Sequence, residues 1–251
     1  MKFLELPLLA AGILLSSCAT SSPPPVIQAA AAENVFVTTL EAGKELQLPA
    51  ILHKPVGDGP FAAVVMLCGQ GGRAGGGPNA EHQTFWARKL FGWGFIALQV
   101  ESFSSRGPRS LETVSADMVC RDASAAKTYL SALAFVDPEN VAVMGWSHGG
   151  IAVLSIIDRS LILNREQVIS DGQGLSVRKV SPFKVAVAFY PYGHPLSDPN
   201  AYHAFDLEAL KRGIVINGHH FECDERATSI AITRTRAFHA KYIGAREPPV
   251  R

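Results

Sequence analysis

The 251-residue chain has almost no net charge: 23 Lys and Arg oppose 22 Asp and Glu, for a formal +1 at pH 7. That balance leaves no basic field to draw nucleic acid and no acidic tail, so nucleic-acid binding is set aside. Cysteine is scarce. Cys18, Cys68, Cys120 and Cys223 include no Cys-x-x-Cys pair and no Cys/His ligand spacing, which speaks against a metal site. Cys68 and Cys120 read as small buried hydrophobes. There is no internal repeat. The apolar stretch Leu6–Leu15 is too short to cross a bilayer as a helix. What is abundant is apolar material: 47% of residues are hydrophobic and 18% charged, enough for one domain with a sizeable core.

The first residues, MKFLELPLLAAGILLSSCAT, place Lys2 before the apolar stretch and small residues before Cys18. This is the layout of an export signal. Leu15-Ser16-Ser17-Cys18 resembles the lipobox of bacterial lipoproteins, in which the cysteine becomes the lipidated first residue. The resemblance implies export to the cell envelope and a membrane partner reached through a lipid anchor at Cys18, which holds a protein to a membrane without spanning it. An ordinary cleaved signal is the alternative. Residues 19–33, with Pro23-Pro24-Pro25 and no periodic apolar face, read as a flexible tether. The domain is then expected over 34–245.

Within the domain, strand-like and helix-like runs alternate. Val35–Thr39, Leu46–His53, Ala62–Leu67, Phe95–Val100, Val141–Gly145 and Val185–Tyr190 read as strands. Asn79–Gly92, Ser115–Ala134, a segment from about Gly149, and Arg226–Ile243 read as helices. Uniformly apolar strands between helices indicate an α/β domain, its mostly parallel sheet covered by helices on both faces. Ligands of such sheets bind at the carboxyl ends of the strands.

Two motifs stand at those ends. Gly145-Trp146-Ser147-His148-Gly149 follows a strand and opens a helix. This is the context in which Gly-x-Ser-x-Gly makes a nucleophile elbow, with the serine hydroxyl lifted out of the sheet on a sharp turn. Ser147 is the candidate nucleophile, and Trp146 beside it a candidate substrate contact. Leu67-Cys68-Gly69-Gln70-Gly71-Gly72 follows an earlier strand. Its glycines would let backbone N–H groups approach a substrate. The expected oxyanion hole pairs the N–H of His148 with that of Gln70.

The stretches LCGQGG, ESFSSRG, VDPENVAVMGWSHGG, VAVAFYPYG and NAYHAFD resemble the dienelactone hydrolase family of α/β hydrolases, from about Ala62 to Asp206. The resemblance implies hydrolysis of a small-molecule ester or lactone without a metal or organic cofactor. It implies that His203 in AYHAFD is the general base for Ser147, with His219 and His220 as competitors and His148 and His194 lining the cleft or serving structure. It also makes Arg106, in ESFSSRG, a candidate to hold a substrate carboxylate. Where the family carries aspartate at the head of that motif, this chain has Glu101.

One departure matters. The family's catalytic acid comes from a strand between the AFYP strand and the AYHAFD loop, and only twelve steps separate Pro191 from His203 here. One strand–helix unit between 191 and 203 is expected to be missing. Asp198, in an Asp-Pro-Asn turn, is the best substitute acid, with Asp206 a poorer one. The leading expectation is a serine-dependent ester or lactone hydrolase working through an acyl-enzyme and impaired by that loss. An inactive hydrolase-like surface lipoprotein, or an acyl-transfer or carbohydrate enzyme on the same fold, remain open, as does the oligomeric state.

Overall fold

The computed structural model describes residues 32–72, 78–107, 113–162, 166–170, 175–179, 183–191, 214–216, 219–221 and 223–244. Cys18 and residues 1–31, and residues 192–213 with His194, Asp198, His203 and Asp206, lie outside them.

The alternating pattern becomes β1 (Glu33–Glu41), β2 (Lys44–His53), β3 (Phe61–Leu67), α1 (Pro78–Gly92), β4 (Ile96–Val100), α2 (Ala116–Ser131), β5 (Val136–Trp146), α3 (His148–Ile162), β8 (Val185–Phe189) and α4 (Glu225–Ile243). Two short pairs, β6 (Glu166–Ser170) with β7 (Leu175–Lys179) and β9 (Ile214–Ile216) with β10 (His219–Phe221), were not foreseen; each forms its own two-stranded antiparallel sheet. A single turn of 3-10 helix, Ser104–Arg106, follows β4.

The main sheet has six strands in the order β1-β2-β4-β3-β5-β8. β2 is antiparallel to both its neighbours, and β4, β3, β5 and β8 run parallel. β3 is buried along its whole length, as a parallel strand covered on both faces must be. Its side chains alternate between two cores. Ala63, Val65 and Leu67 join Val119, Ala123, Ala126 and Leu130 of α2 and Ala152 and Val153 of α3. Ala62, Val64 and Met66 join Trp86, Ala87 and Leu90 of α1 and Ile243 of α4. Two helices therefore cover each face, and the expected fold class is observed.

From β3 the chain steps to β4 on one side, then crosses back to β5 on the other. The strand order reverses at β3 and β5, so the helices that follow these strands leave on opposite faces and open a crevice above the carboxyl ends. Among the described residues, β8 is the last strand on that side of the sheet. The strand–helix unit expected to be missing falls beyond it, outside the described residues except for Pro191. No helix among the described residues is long and apolar enough to cross a membrane.

α4 starts on Asp224, whose Oδ1 accepts from the Ala227 N–H at 2.9 Å. The helix carries a fully buried His239 toward Phe95, ring centroids 5.7 Å apart. Its Nδ1 lies 2.8 Å from the Thr235 carbonyl and must carry the proton to donate there, leaving Nε2 bare. Burial pushes this imidazole below its usual pKa, opposed in part by the Thr235 carbonyl. The unfolded chain binds the proton more readily, so His239 destabilises the fold as pH falls through about 6.5 and below. Between pH 7 and 5, thermal denaturation should show a steeper loss of stability for the native protein than for His239→Gln. The difference should not exceed about 1.4 kcal/mol per pH unit; parallel curves would refute it.

Candidate active site

Ser147 sits between the last residue of β5 and the first of α3. Its φ is 50°, in the left-handed region that a serine adopts only under constraint. The constraint is visible. The Ser147 N–H donates to the Phe189 carbonyl of β8 at 3.0 Å, and its own carbonyl accepts the first helical bond from Ile151 at 2.9 Å. The flanking glycines are required by space. A Cβ on Gly145 would lie 2.5 Å from the carbonyl carbon of Gly149, and one on Gly149 would lie 2.7 Å from the Cys68 carbonyl oxygen. Both obstacles are backbone and cannot swing aside.

The loop after β3 reaches the same point. A Cβ on Gly69 would be 3.5 Å from the Ser147 Cβ, so this backbone passes within one side-chain atom's reach of the candidate nucleophile. The two N–H groups expected to bind an oxyanion belong to the residues that follow each side of this contact, Gln70 and His148. Gln70 is exposed in a turn closed by Gly72 N–H donating to the Gly69 carbonyl at 3.2 Å, and its carbonyl accepts from Asn79 Nδ2 of α1 at 3.4 Å. His148 is the first residue of α3, where a helix N-terminus favours negative charge. The His148 ring is half-buried, edge-on to Phe103 at 5.9 Å. Burial pushes its pKa down, opposed in part by the backbone of Ser115 and Val114.

Other expected site residues stand elsewhere. Trp146 does not face a substrate. It is 2% exposed and stacks on Phe189 at 5.7 Å, with His82 edge-on at 5.2 Å. It points from the sheet into the core beneath α1, because the residue before an elbow serine lies on the opposite face of the strand. Arg106 does not offer a free guanidinium. Its side chain is 4% exposed; Nε donates to Glu41 at 2.6 Å, and Nη1 and Nη2 grip Asp122 at 2.9 and 3.0 Å. Nη1 also donates to the Ser102 carbonyl. Burial opposes its charge, but the bonds to Asp122 and Glu41 outweigh this and hold its pKa above the usual value. The charge is thus matched within the fold, between the end of β1 and α2. His203 and Asp198 lie outside the described residues, as do the side chains of His219 and His220. Cys68 and Cys120 are buried, their thiols directed at the carbonyls of Val100 and Ala152.

One buried polar residue at this end of the sheet was noted from sequence only as a departure from the family's aspartate, with no role given to it. Glu101, at the carboxyl end of β4, is 3% exposed, and its Oε1 accepts from the backbone N–H groups of Phe103 at 2.9 Å and Ser104 at 3.3 Å.

A strand–elbow–helix serine at the switch point of a mostly parallel, doubly covered sheet defines the α/β-hydrolase fold. A model of the prolyl oligopeptidase family matches residues 108–161, the segment that carries β5 and the elbow. Among solved structures, a putative dienelactone hydrolase from Klebsiella pneumoniae subsp. pneumoniae MGH 78578 is similar over 85% of this chain and 100% of its own, at 14% identity and a TM-score of 0.53. That likeness concerns the fold. Dipeptidyl peptidase 4 from Porphyromonas gingivalis is matched by 50% of this chain, at 21% identity and a TM-score of 0.39, and the esterase Est22 by 63%, at 13% identity and a TM-score of 0.46. The chain spans 18% of the former and 43% of the latter. No curated protein matches the sequence.

Proposed function

We propose that the chain is a serine hydrolase that cleaves carboxylic ester or lactone bonds through an acyl-enzyme on Ser147. The observation that carries this reading is the backbone of Ser147, held at φ 50° with the glycine loop after β3 packed against it. Such a turn is the form an elbow serine takes to offer Oγ to the crevice, with the N–H groups of His148 and Gln70 as the proposed donors beside it. In the proposed cycle His203 takes the Ser147 proton as Oγ attacks the carbonyl carbon. The oxyanion is received by the N–H groups of His148 and Gln70, and His203 returns the proton to the leaving alcohol. Water, deprotonated by the same histidine, then releases the acid. Asp198 is the proposed partner that orients His203. The role of His203 rests on the family resemblance of its sequence context; that of Asp198 rests on its place in the Asp-Pro-Asn turn between β8 and His203, since the family's acid-bearing strand has no counterpart here.

The test is an active-site fluorophosphonate applied to the purified protein. Labelling on the peptide containing Ser147 supports the reading. A folded protein that takes no label would sink it in favour of an inactive scaffold, the alternative favoured by the short Pro191–His203 connection. Export and lipid anchoring at Cys18 are part of the same proposal. In a bacterial host, incorporation of an alkyne fatty acid should disappear in Cys18→Ser, and incorporation that persists would remove the anchor from the account.

A further inference from the structure

The loop Gly69-Gln70-Gly71-Gly72 contains a single side chain, and that one is exposed. A glycine-rich segment has little with which to hold itself in place, yet an oxyanion hole demands donors fixed to within a fraction of an ångström. The restraint must come from neighbours. Asn79 touches the loop from α1. A further neighbour is Glu101. Gly72 is buried with φ 59°, and a Cβ added there would lie 2.5 Å from Glu101 Oε2 and 2.6 Å from its Cδ. The carboxylate therefore fills the space beside Gly72 that a side chain would need. A short line of neighbours follows: Glu101 beside Gly72, Gly72 N–H to the Gly69 carbonyl, and Gly69 within a side-chain atom's reach of Ser147.

We propose that Glu101 is a positioning residue, fixing the oxyanion-hole loop over Ser147 through its contact with Gly72; this rests on the serine-hydrolase reading of the site. The side-chain length supports it. Capping the N–H groups two and three residues ahead is what an aspartate does well from its own position. Glutamate is a methylene longer. Here one carboxylate meets both demands: it caps the turn at Phe103 and Ser104 and reaches across to the β3 loop. Glycine at position 72 is the complement of that reach.

The deciding variant is Glu101→Asp, which keeps the cap and gives up the contact with Gly72. In the full chain, amide hydrogen exchange over residues 69–72 is expected to speed up about tenfold or more, while α2 and β5 exchange as before. With an activated ester, kcat should fall by about 10- to 100-fold at unchanged KM, since a misplacement on the order of 1 Å can cost about 100-fold. Glu101→Gln, which keeps the length, should restore both readings to near the native values. Exchange over 69–72 that is unchanged in Glu101→Asp, or that rises together with the rest of the domain, overturns the proposal. So does a failure of Glu101→Gln to restore it. A native protein that takes no fluorophosphonate would refute the serine-hydrolase reading instead, and the exchange comparison would still decide whether Glu101 holds the loop.

Discussion

Ser147→Ala is expected to abolish fluorophosphonate labelling and to lower ester hydrolysis by at least about 100-fold, and the size of the drop carries information. In a serine hydrolase with a complete triad, loss of the nucleophile costs about 10⁶ in kcat. Loss of the acid alone costs about 10⁴. If no carboxylate serves His203, most of that factor is already gone from the native protein, and removing Ser147 can take away only about 10² more. A fall near 10⁶ would show that Asp198 or another carboxylate completes the site. The short Pro191–His203 connection favours the smaller figure. The measurement is single-turnover hydrolysis of an activated ester by both proteins, with circular dichroism to show that each is folded. Equal rates would remove Ser147 from the chemistry altogether.

Arg106→Ala should destabilise the protein rather than weaken substrate binding. Asp122 is fully buried, and Arg106 is its partner through two bonds. Removing one member of a buried pair leaves the other charged and unmatched, at about 3–5 kcal/mol. Glu41 loses the same partner, but it is partly solvated and adds less. For a domain of this size that corresponds to a melting temperature lower by about 10 °C or more. Arg106→Lys should recover only part of it, because a lysine cannot make the paired grip on Asp122. A substrate clamp would behave in the opposite way: KM for acidic esters would rise and the melting temperature would stay.

Arg106 also shows why part of the site was hidden in the sequence. Its partners stand 65 and 16 residues away, on β1 and α2, and nothing in ESFSSRG announces them. A loop arginine after a strand looks the same whether it faces a ligand or a buried aspartate. Glu101 and Gly72 are a similar case, since their contact exists only because β4 and β3 are neighbours in the sheet. The elbow was legible because its whole logic is local: a buried apolar strand, two glycines where backbone crowds in, and a helix start, within a few consecutive residues. The main strands and helices were legible for the same reason, through continuous apolar runs and helical spacing. Trp146 was misplaced by the assumption that a neighbour of the nucleophile faces the crevice, whereas alternation along β5 turns it to the far core. The β6–β7 pair had a readable signal, Asp171-Gly172-Gln173-Gly174 between two short runs. Its low hydrophobic content beside the strong central strands kept it from standing out.

The reversal of strand order at β3 and β5 has a bearing on how such a protein can decay. Everything proposed to grip an acyl group, from the glycine loop to the elbow, comes from one stretch of sequence ending near Gly150. The proposed proton carriers come from a separate stretch beyond β8. On that proposal the two halves of the machinery occupy separate stretches of chain, and a loss after β8 strikes one of them alone. A protein shortened there would keep its hold on an ester and lose its speed with it, so that natural selection could whittle an enzyme toward a receptor without dismantling the scaffold.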